Sequence, residues 1–235
     1  MNKPADYRIL NGTALKLLAL VTMTVDHAGL LLLNDLTVCR IMGRLAFPIF
    51  AFMIAEGCRY TRNPTKYFFS VFGLGVFCQI VYYITDGLLY MNILISLSLS
   101  MLIIFAVNRA KRSRSLPAWC LPIGLTVAIF AVNLVLERLL APMGYQLDYG
   151  FAGVMLPVLI SLSDDRPVKL GLTALGLVLV AIFWGGAIQW WSLLASLPLA
   201  LYNEKPGKHR MKLLFYVYYP LHLAVIYGID LLLSR

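Results

Sequence analysis

A bundle of membrane-spanning helices is the fold class this sequence predicts, and three observations carry the prediction. Of 235 residues, 60% are hydrophobic and only 13% are charged, about half the charged share of a soluble domain. Mean hydropathy is +0.80. Apolar runs of bilayer-crossing length recur along the chain, and a globule of this size has too little interior to hide them all. The expected architecture is all-α, a polytopic bundle of about nine transmembrane helices with a range of roughly eight to ten, filling residues 1 to 235 as one domain.

Charged punctuation places the spans near 13 to 33, 41 to 57, 67 to 85, 91 to 108, 118 to 140, 150 to 162, 168 to 184, 187 to 203 and 212 to 233. The first follows Lys3 and Arg8 as a signal peptide would. It is nevertheless too long for an h-region, contains Asp26 and His27, and has no small-x-small cleavage site after it, so it reads as a retained helix. The run from 150 to 162 is short for a crossing, which wants about 20 residues, and suits a half-helix or re-entrant segment. Internal repeats, low-complexity tracts and soluble linkers are not evident.

Orientation follows from the loop charges. Arg59, Arg62 and Lys66, then Arg109, Lys111, Arg112 and Arg114, then Arg166 and Lys169, then Lys205, Lys208, Arg210 and Lys212 fall in alternate connections. The intervening ones hold little beyond Asp86, Asp148 and a bare WGGA at 184 to 187. By the positive-inside rule the N-terminus is cytoplasmic and the C-terminus external. Topology and anionic headgroups then explain the net charge of +9, and no nucleic acid is needed as a partner. Cys39, Cys58, Cys78 and Cys120 show no CxxC spacing and read as small buried residues.

Ionisable groups at membrane depth are expensive unless they face protein or water, which makes each a functional candidate. Asp26 and His27 stand side by side in the apolar VTMTVDHAGLLLL. A single buried His is as often a hydrogen-bonded structural group as a reactive one, but the adjacent acid doubles what must be explained. Adjacent helix positions point about 100° apart, so Asp26 either pairs with Arg44 or approaches the imidazole from the side. Lys16 lies eleven residues before His27, close to three helical turns, which puts both on one face roughly 16 Å apart. Lys16 fits an interfacial anchor and a holder of an anionic group equally well.

A second cluster is RIMGRLAFPIFAFMIAEGCRYTR. Arg40 and Arg44 share a helix face at the outer end of the second span, against the positive-inside rule, so Arg44 is expected to neutralise Asp26 or grip an anionic substrate. Pro48 should break the helix just beyond it, while Gly43 and Gly57 allow close helix approach. Glu56 has an ordinary explanation in a bridge to Arg59. The third cluster surrounds His222, where Pro220 should turn Tyr218, Tyr219 and His222 toward an interior cavity; an aromatic interfacial belt with one satisfied His is the plainer account. His209 reads as solvated, and Asn92 and Asp148 with Tyr149 as caps at span ends. No HExxH, GxGxxG, P-loop or GxSxG pattern occurs. Nothing in the spacing argues for a metal shared by Asp26, His27, Glu56 and His222.

These clusters, in this order, resemble the TraX family of bacterial membrane proteins, which includes the acetylase of conjugative pilin. The resemblance is carried by LKLLALVTMTVDHAG (15 to 29), GRLAFPIFAFMIAEG (43 to 57), DYGFAGV (148 to 154) and YNEKPGKHRMKLLFYVYYPLHL (202 to 223). The family is similar in turn to a wider group of transmembrane acyltransferases, whose first helix carries a basic residue, ten intervening residues and a His, the spacing of Lys16 and His27.

The resemblance implies a multi-pass enzyme of the bacterial cytoplasmic (inner) membrane. It would transfer an acetyl group from cytoplasmic acetyl-CoA to an amine or hydroxyl acceptor, a pilin N-terminus or a cell-surface glycan. Acyl-CoA, that acceptor and membrane lipids are the expected partners, with no metal. His27 would then be the general base and Asp26 its orienting or charge-stabilising neighbour, while Lys16 and Arg44 hold anionic parts of the donor. Glu56, Asn92, Asp148, Tyr149, Asn203, Tyr219 and His222 complete the expected substrate-facing set. Transfer should be direct, since no Ser or Cys is evidently paired with His27 and Thr24, three residues before it, reads as a packing hydroxyl. A transporter or channel for a small anion or proton, with Asp26, His27 and Arg44 as relay or gate, is the alternative of another class; a non-catalytic scaffold leaves the buried pair unexplained.

Overall fold

The computed structural model describes residues 8 to 184, 186 to 207 and 212 to 233; Lys3, Lys208, His209 and Arg210 lie outside the described residues. Helices α1 (Gly12–Leu31), α2 (Thr37–Gly43), α3 (Ala46–Tyr60), α4 (Pro64–Asp86), α5 (Ile93–Ser113), α6 (Cys120–Leu139), α7 (Gly150–Ser161), α8 (Arg166–Trp184), α9 (Ser196–Ala200) and α10 (Lys212–Leu233) make the fold all-α. A two-residue strand pair, β1 (Tyr90–Met91) and β2 (Gln146–Leu147), is the exception among the described residues. Seven helical stretches among them are long and apolar enough to cross a membrane: α1, α2 with α3, α4, α5, α6 with the 3₁₀ turn before it, α8 and α10. The chain is a helical membrane protein.

Nine spans were expected; seven stretches among the described residues meet the length and hydropathy of a crossing helix, and the other two runs take shorter forms. The run at 150 to 162 forms α7, whose twelve residues reach about 18 Å. The run at 187 to 203 forms the 3₁₀ segment Ala187–Ala195 and the short α9 instead of an α-helix. Buried polar groups on that segment, Gln189 and Ser192, set it apart from a lipid-facing span.

Contacts divide the chain into two units, one made of residues up to 53 with those from 186 onward, the other of residues 54 to 185. In the second, β1 and β2 run parallel, with Tyr90 opposite Gln146, and each leads into a helix, α5 and α7. Small hydroxyls on α5 join the two: Ser96 donates to the Asp148 carbonyl at 3.1 Å and Ser100 to that of Val154 at 2.7 Å. Such bonds and small side chains glue helices where lipid supplies no hydrophobic drive. Lys111 Nζ donates at 2.7 Å to the Ser161 carbonyl and so caps the C-terminus of α7. On α4 and α6, Phe77, Ile84, Ile123, Val127 and Leu139 stand exposed, as lipid-facing side chains do.

Glu56 does not pair with Arg59 as expected. Its Oε1 takes a 2.6 Å bond from Lys169, both side chains being 5% exposed, and Arg59 reaches Asp164 at 3.3 Å instead. Lys169 lies in the first turn of α8 and was expected in a cytoplasmic connection, but burial makes a carboxylate partner obligatory. Gly57 meets the Tyr67 hydroxyl, where a Cβ would overlap it. Glu56→Leu should therefore destabilise the protein by about 3 to 5 kcal/mol, and Glu56→Leu with Lys169→Met should recover most of that. Thermal unfolding of the two variants in detergent measures the difference, and equal losses would count against the pair. Of the cysteines, Cys58 and Cys78 are buried as expected, whereas Cys39 is partly exposed and Cys120 exposed.

Candidate active site

The first unit builds its polar cluster from α1, α2, α10 and the 3₁₀ segment. Asn11 starts α1, its Oδ1 accepting from the Ala14 amide at 2.9 Å. Gly29 and Gly43 let α2 fold back on α1: a Cβ on the first would overlap Cys39, and on the second the Asp26 side chain. The helix stops at Arg44 and restarts as α3, with Pro48 in its first turn. Because proline carries no N–H, the break sits where the sequence placed it.

Asp26 is held by arginines. Its Oδ1 lies 2.9 Å from Arg40 Nη1 and 3.2 Å from Arg44 Nη2. Arg40 reaches out to Asp35 at 3.2 Å, a carboxylate 69% exposed, and Arg44 Nη1 donates at 3.3 Å to Gln189 Oε1. Between the two expectations for Asp26, the pairing with Arg44 is the one the geometry contains. Among the described residues Asp26 makes no hydrogen bond to His27. Asp26 and the exposed Asp35 together face the two guanidinium groups, and Arg44 is the buried member of the cluster.

The His27 ring meets α10. Its Nδ1 lies 2.9 Å from His222 Nε2, and His222 Nδ1 lies 3.0 Å from the Tyr218 carbonyl. A carbonyl only accepts, so His222 carries its proton on Nδ1 and presents the Nε2 lone pair. His27 must then donate from Nδ1, which leaves its own Nε2 as a bare lone pair with no hydrogen bond among the described residues. Tyr218 stacks on His222 at 5.5 Å and 7°, Tyr219 meets it edge-on at 5.8 Å, and the Tyr218 hydroxyl lies 2.7 Å from Thr24 Oγ1. Since Thr24 gives its one proton to the Leu20 carbonyl at 2.9 Å, Tyr218 is the donor to it. Thr24 is thus a packing hydroxyl. Lys16 sits over the Phe215 ring at 5.6 Å, lower on the same seam. The order Lys16 by Phe215, Thr24 by Tyr218, His27 by His222 shows that α1 and α10 run parallel.

The other expected site residues lie in these surroundings. Asn203 ties its backbone N–H to the Leu10 carbonyl at 2.8 Å and turns its Oδ1 to the Lys205 amide. Glu56, Asn92, Asp148 and Tyr149 belong to the other unit. Asn92 caps α5 and donates to the Gly75 carbonyl at 2.9 Å. Asp148 accepts from the Tyr90 hydroxyl, and Tyr149 has a left-handed φ of 58° ahead of α7 with its ring against Trp184.

A family model described as TraX protein matches residues 11 to 230. The chain belongs to the TraX family. The match reaches from the cap of α1 through His222 and so takes in every residue of the cluster. A relative within reach of the whole TraX chain is a probable fimbrial assembly protein FimC, serogroup H1, of Dichelobacter nodosus. It is 24% identical over 246 aligned residues, which cover 90% of this chain and 92% of the relative. An uncharacterized protein, RP591, of Rickettsia prowazekii (strain Madrid E) is 33% identical over 106 residues, 45% of this chain and 41% of its own. No solved structure matches. Sequence reasoning missed Gln189 in this TraX chain, although an amide in an apolar run signals buried hydrogen bonding.

Proposed function

We propose that this protein is a membrane-bound acetyltransferase that takes the acetyl group of cytoplasmic acetyl-CoA to an amine or hydroxyl acceptor at or across the membrane. The observation that carries the reading is the His27 to His222 bond at 2.9 Å, which fixes the tautomer whose Nε2 is free to take a proton. As the acceptor attacks the thioester carbonyl carbon, His27 Nε2 removes its N–H or O–H proton. The tetrahedral intermediate collapses with cleavage of the C–S bond, and the CoA thiolate recovers that proton from His27. His222 plays the part of a positioning residue: by accepting from Nδ1 it holds the ring and its tautomer and stabilises the imidazolium while it lasts, in the place that a carboxylate takes in a Ser-His-Asp triad. His222 is the one hydrogen-bond partner of His27 among the described residues, which favours direct transfer over a covalent relay.

Membership of the TraX family favours the same reaction class, and a fimbrial assembly relative favours a pilus-type protein as acceptor over a glycan. Placement in the bacterial cytoplasmic membrane with the N-terminus inside draws on the alternating Lys and Arg. Parallel α1 and α10 require an odd number of crossings, which the seven candidate spans among the described residues satisfy, as nine would.

The test uses protein in lipid nanodiscs with radiolabelled acetyl-CoA and pilin-derived peptides or glycan acceptors, following release of CoA. His27-dependent release supports the reading. Absence of release and of acetyl-CoA binding, with His27-dependent proton flux in proteoliposomes, would replace it by transport. His222→Phe, which keeps an aromatic ring and loses the acceptor, should lower kcat by roughly 10- to 100-fold with KM little changed. His222→Gln, whose Oε1 can accept from Nδ1, should restore part of it. An unchanged kcat in His222→Phe would remove His222 from the mechanism.

A further inference from the structure

Gln189 and Ser192 lie three residues apart on the 3₁₀ segment Ala187–Ala195. A 3₁₀ helix turns once in three residues, so the two side chains stand one above the other on a single edge. That edge is interior: Gln189 is 1% exposed and Ser192 0%. Both nevertheless hold a polar atom without a partner among the described residues, Gln189 Nε2 and Ser192 Oγ. The orientation of the amide is not free. Arg44 only donates, so its 3.3 Å contact must fall on Gln189 Oε1, and Nε2 is turned away as a donor. Buried donors left unsatisfied are rare and costly, and they are kept where something else supplies the acceptor.

The surroundings say what kind of acceptor. Arg44, a buried guanidinium that also holds Asp26, is the immediate neighbour of the amide. An N–H and an O–H donor beside a buried guanidinium favour an oxygen that is negative or becomes so. We propose that Gln189 Nε2 and Ser192 Oγ form the donor pair that receives the carbonyl oxygen of the acyl donor. The assignment rests on the acetyl-transfer reading and names the group that it leaves unplaced: the oxygen that gains charge when the acceptor attacks the carbonyl carbon. Donors already fixed in a dry site stabilise such charge without reorganising.

The experiment compares binding of acetyl-CoA with that of its S-ethyl thioether analogue, which lacks the carbonyl, to the full chain in nanodiscs. The intact protein should prefer acetyl-CoA by roughly 2- to 10-fold for each donor, and Ser192→Ala and Gln189→Met should each shrink that preference. In turnover each variant should lose about 10²- to 10³-fold in kcat with KM within a few fold. Ser192→Ala should fold and, without ligand, melt no lower than the parent, because it deletes an unsatisfied buried hydroxyl. A parent that binds both ligands equally, or neither, overturns the pair; so does a preference that survives in both variants, or a lower melting temperature for Ser192→Ala. Carbonyl-dependent binding without any acetyl transfer would sink the transferase reading and keep the pair. Transfer that ignores both substitutions would do the reverse.

Discussion

Acetyl transfer by His27→Ala should fall by about 10²- to 10⁴-fold, the usual worth of a positioned general base. The loss should appear in kcat, since the ring touches the proton in flight and not the body of the donor. Acetyl-CoA binding should stay within a few fold of the parent. The substitution removes a half-buried ring whose hydrogen bond among the described residues goes to His222 alone, so the fold should persist and the variant should enter nanodiscs at the parent's yield. His27→Gln separates basicity from shape: an amide can keep the bond to His222 Nε2 but cannot take a proton at neutral pH, and it should be as inactive as the alanine variant. A glutamine variant with more than about a tenth of parental kcat would show that His27 orients and does not deprotonate.

The largest stability effect is expected at Asp26. Asp26→Asn preserves volume and leaves Arg40 and Arg44, 20% and 10% exposed in their side chains, without their shared carboxylate. Removing one partner of a buried pair typically costs about 3 to 5 kcal/mol, because the remaining charge has no replacement solvent. Here two charges are stranded by one change, while Asp35 can compensate only Arg40 from the surface. Gly43→Ala should act in the same direction by another route, since its Cβ would occupy the place of the Asp26 side chain. Equilibrium unfolding in mixed micelles would measure both; a loss for Asp26→Asn below about 1 kcal/mol, the range of a solvated surface pair, would show that water already reaches the cluster. Combining Asp26→Asn with Arg40→Gln should recover part of the loss, as removal of a network's second charge does.

Parts of this site were legible because lipid makes polarity conspicuous. Asp26 and His27 declare themselves in an otherwise apolar helix, and Arg44 does so by breaking the positive-inside pattern, which pointed to its partner before any geometry was known. What stayed hidden is long-range pairing. Glu56 was matched with Arg59, three residues on, because periodicity ranks local neighbours, whereas its partner Lys169 lies 113 residues away. The His27 and His222 pair was invisible for the same reason, each ring being recognised as costly without a sign that they satisfy each other. Gln189 and Ser192 carry no charge and sit in an apolar run, so counting charged punctuation passed over them and read a crossing helix where the chain forms a 3₁₀ segment. The two runs at 150 to 162 and 187 to 203 have the hydropathy of spans without the length of a single crossing α-helix; the shortness of the first was already evident from its residue count.

The two imidazoles lie 195 residues apart, and this separation has a meaning for biosynthesis. While the ribosome is still delivering the middle helices, α1 is already in the bilayer with a histidine that has no partner to fix its tautomer. The partner for that ring arrives only when α10 inserts beside it in the same direction. On the acetyltransferase reading, a nascent or prematurely released chain would lack the oriented base, and completion of the polypeptide would double as the activating event.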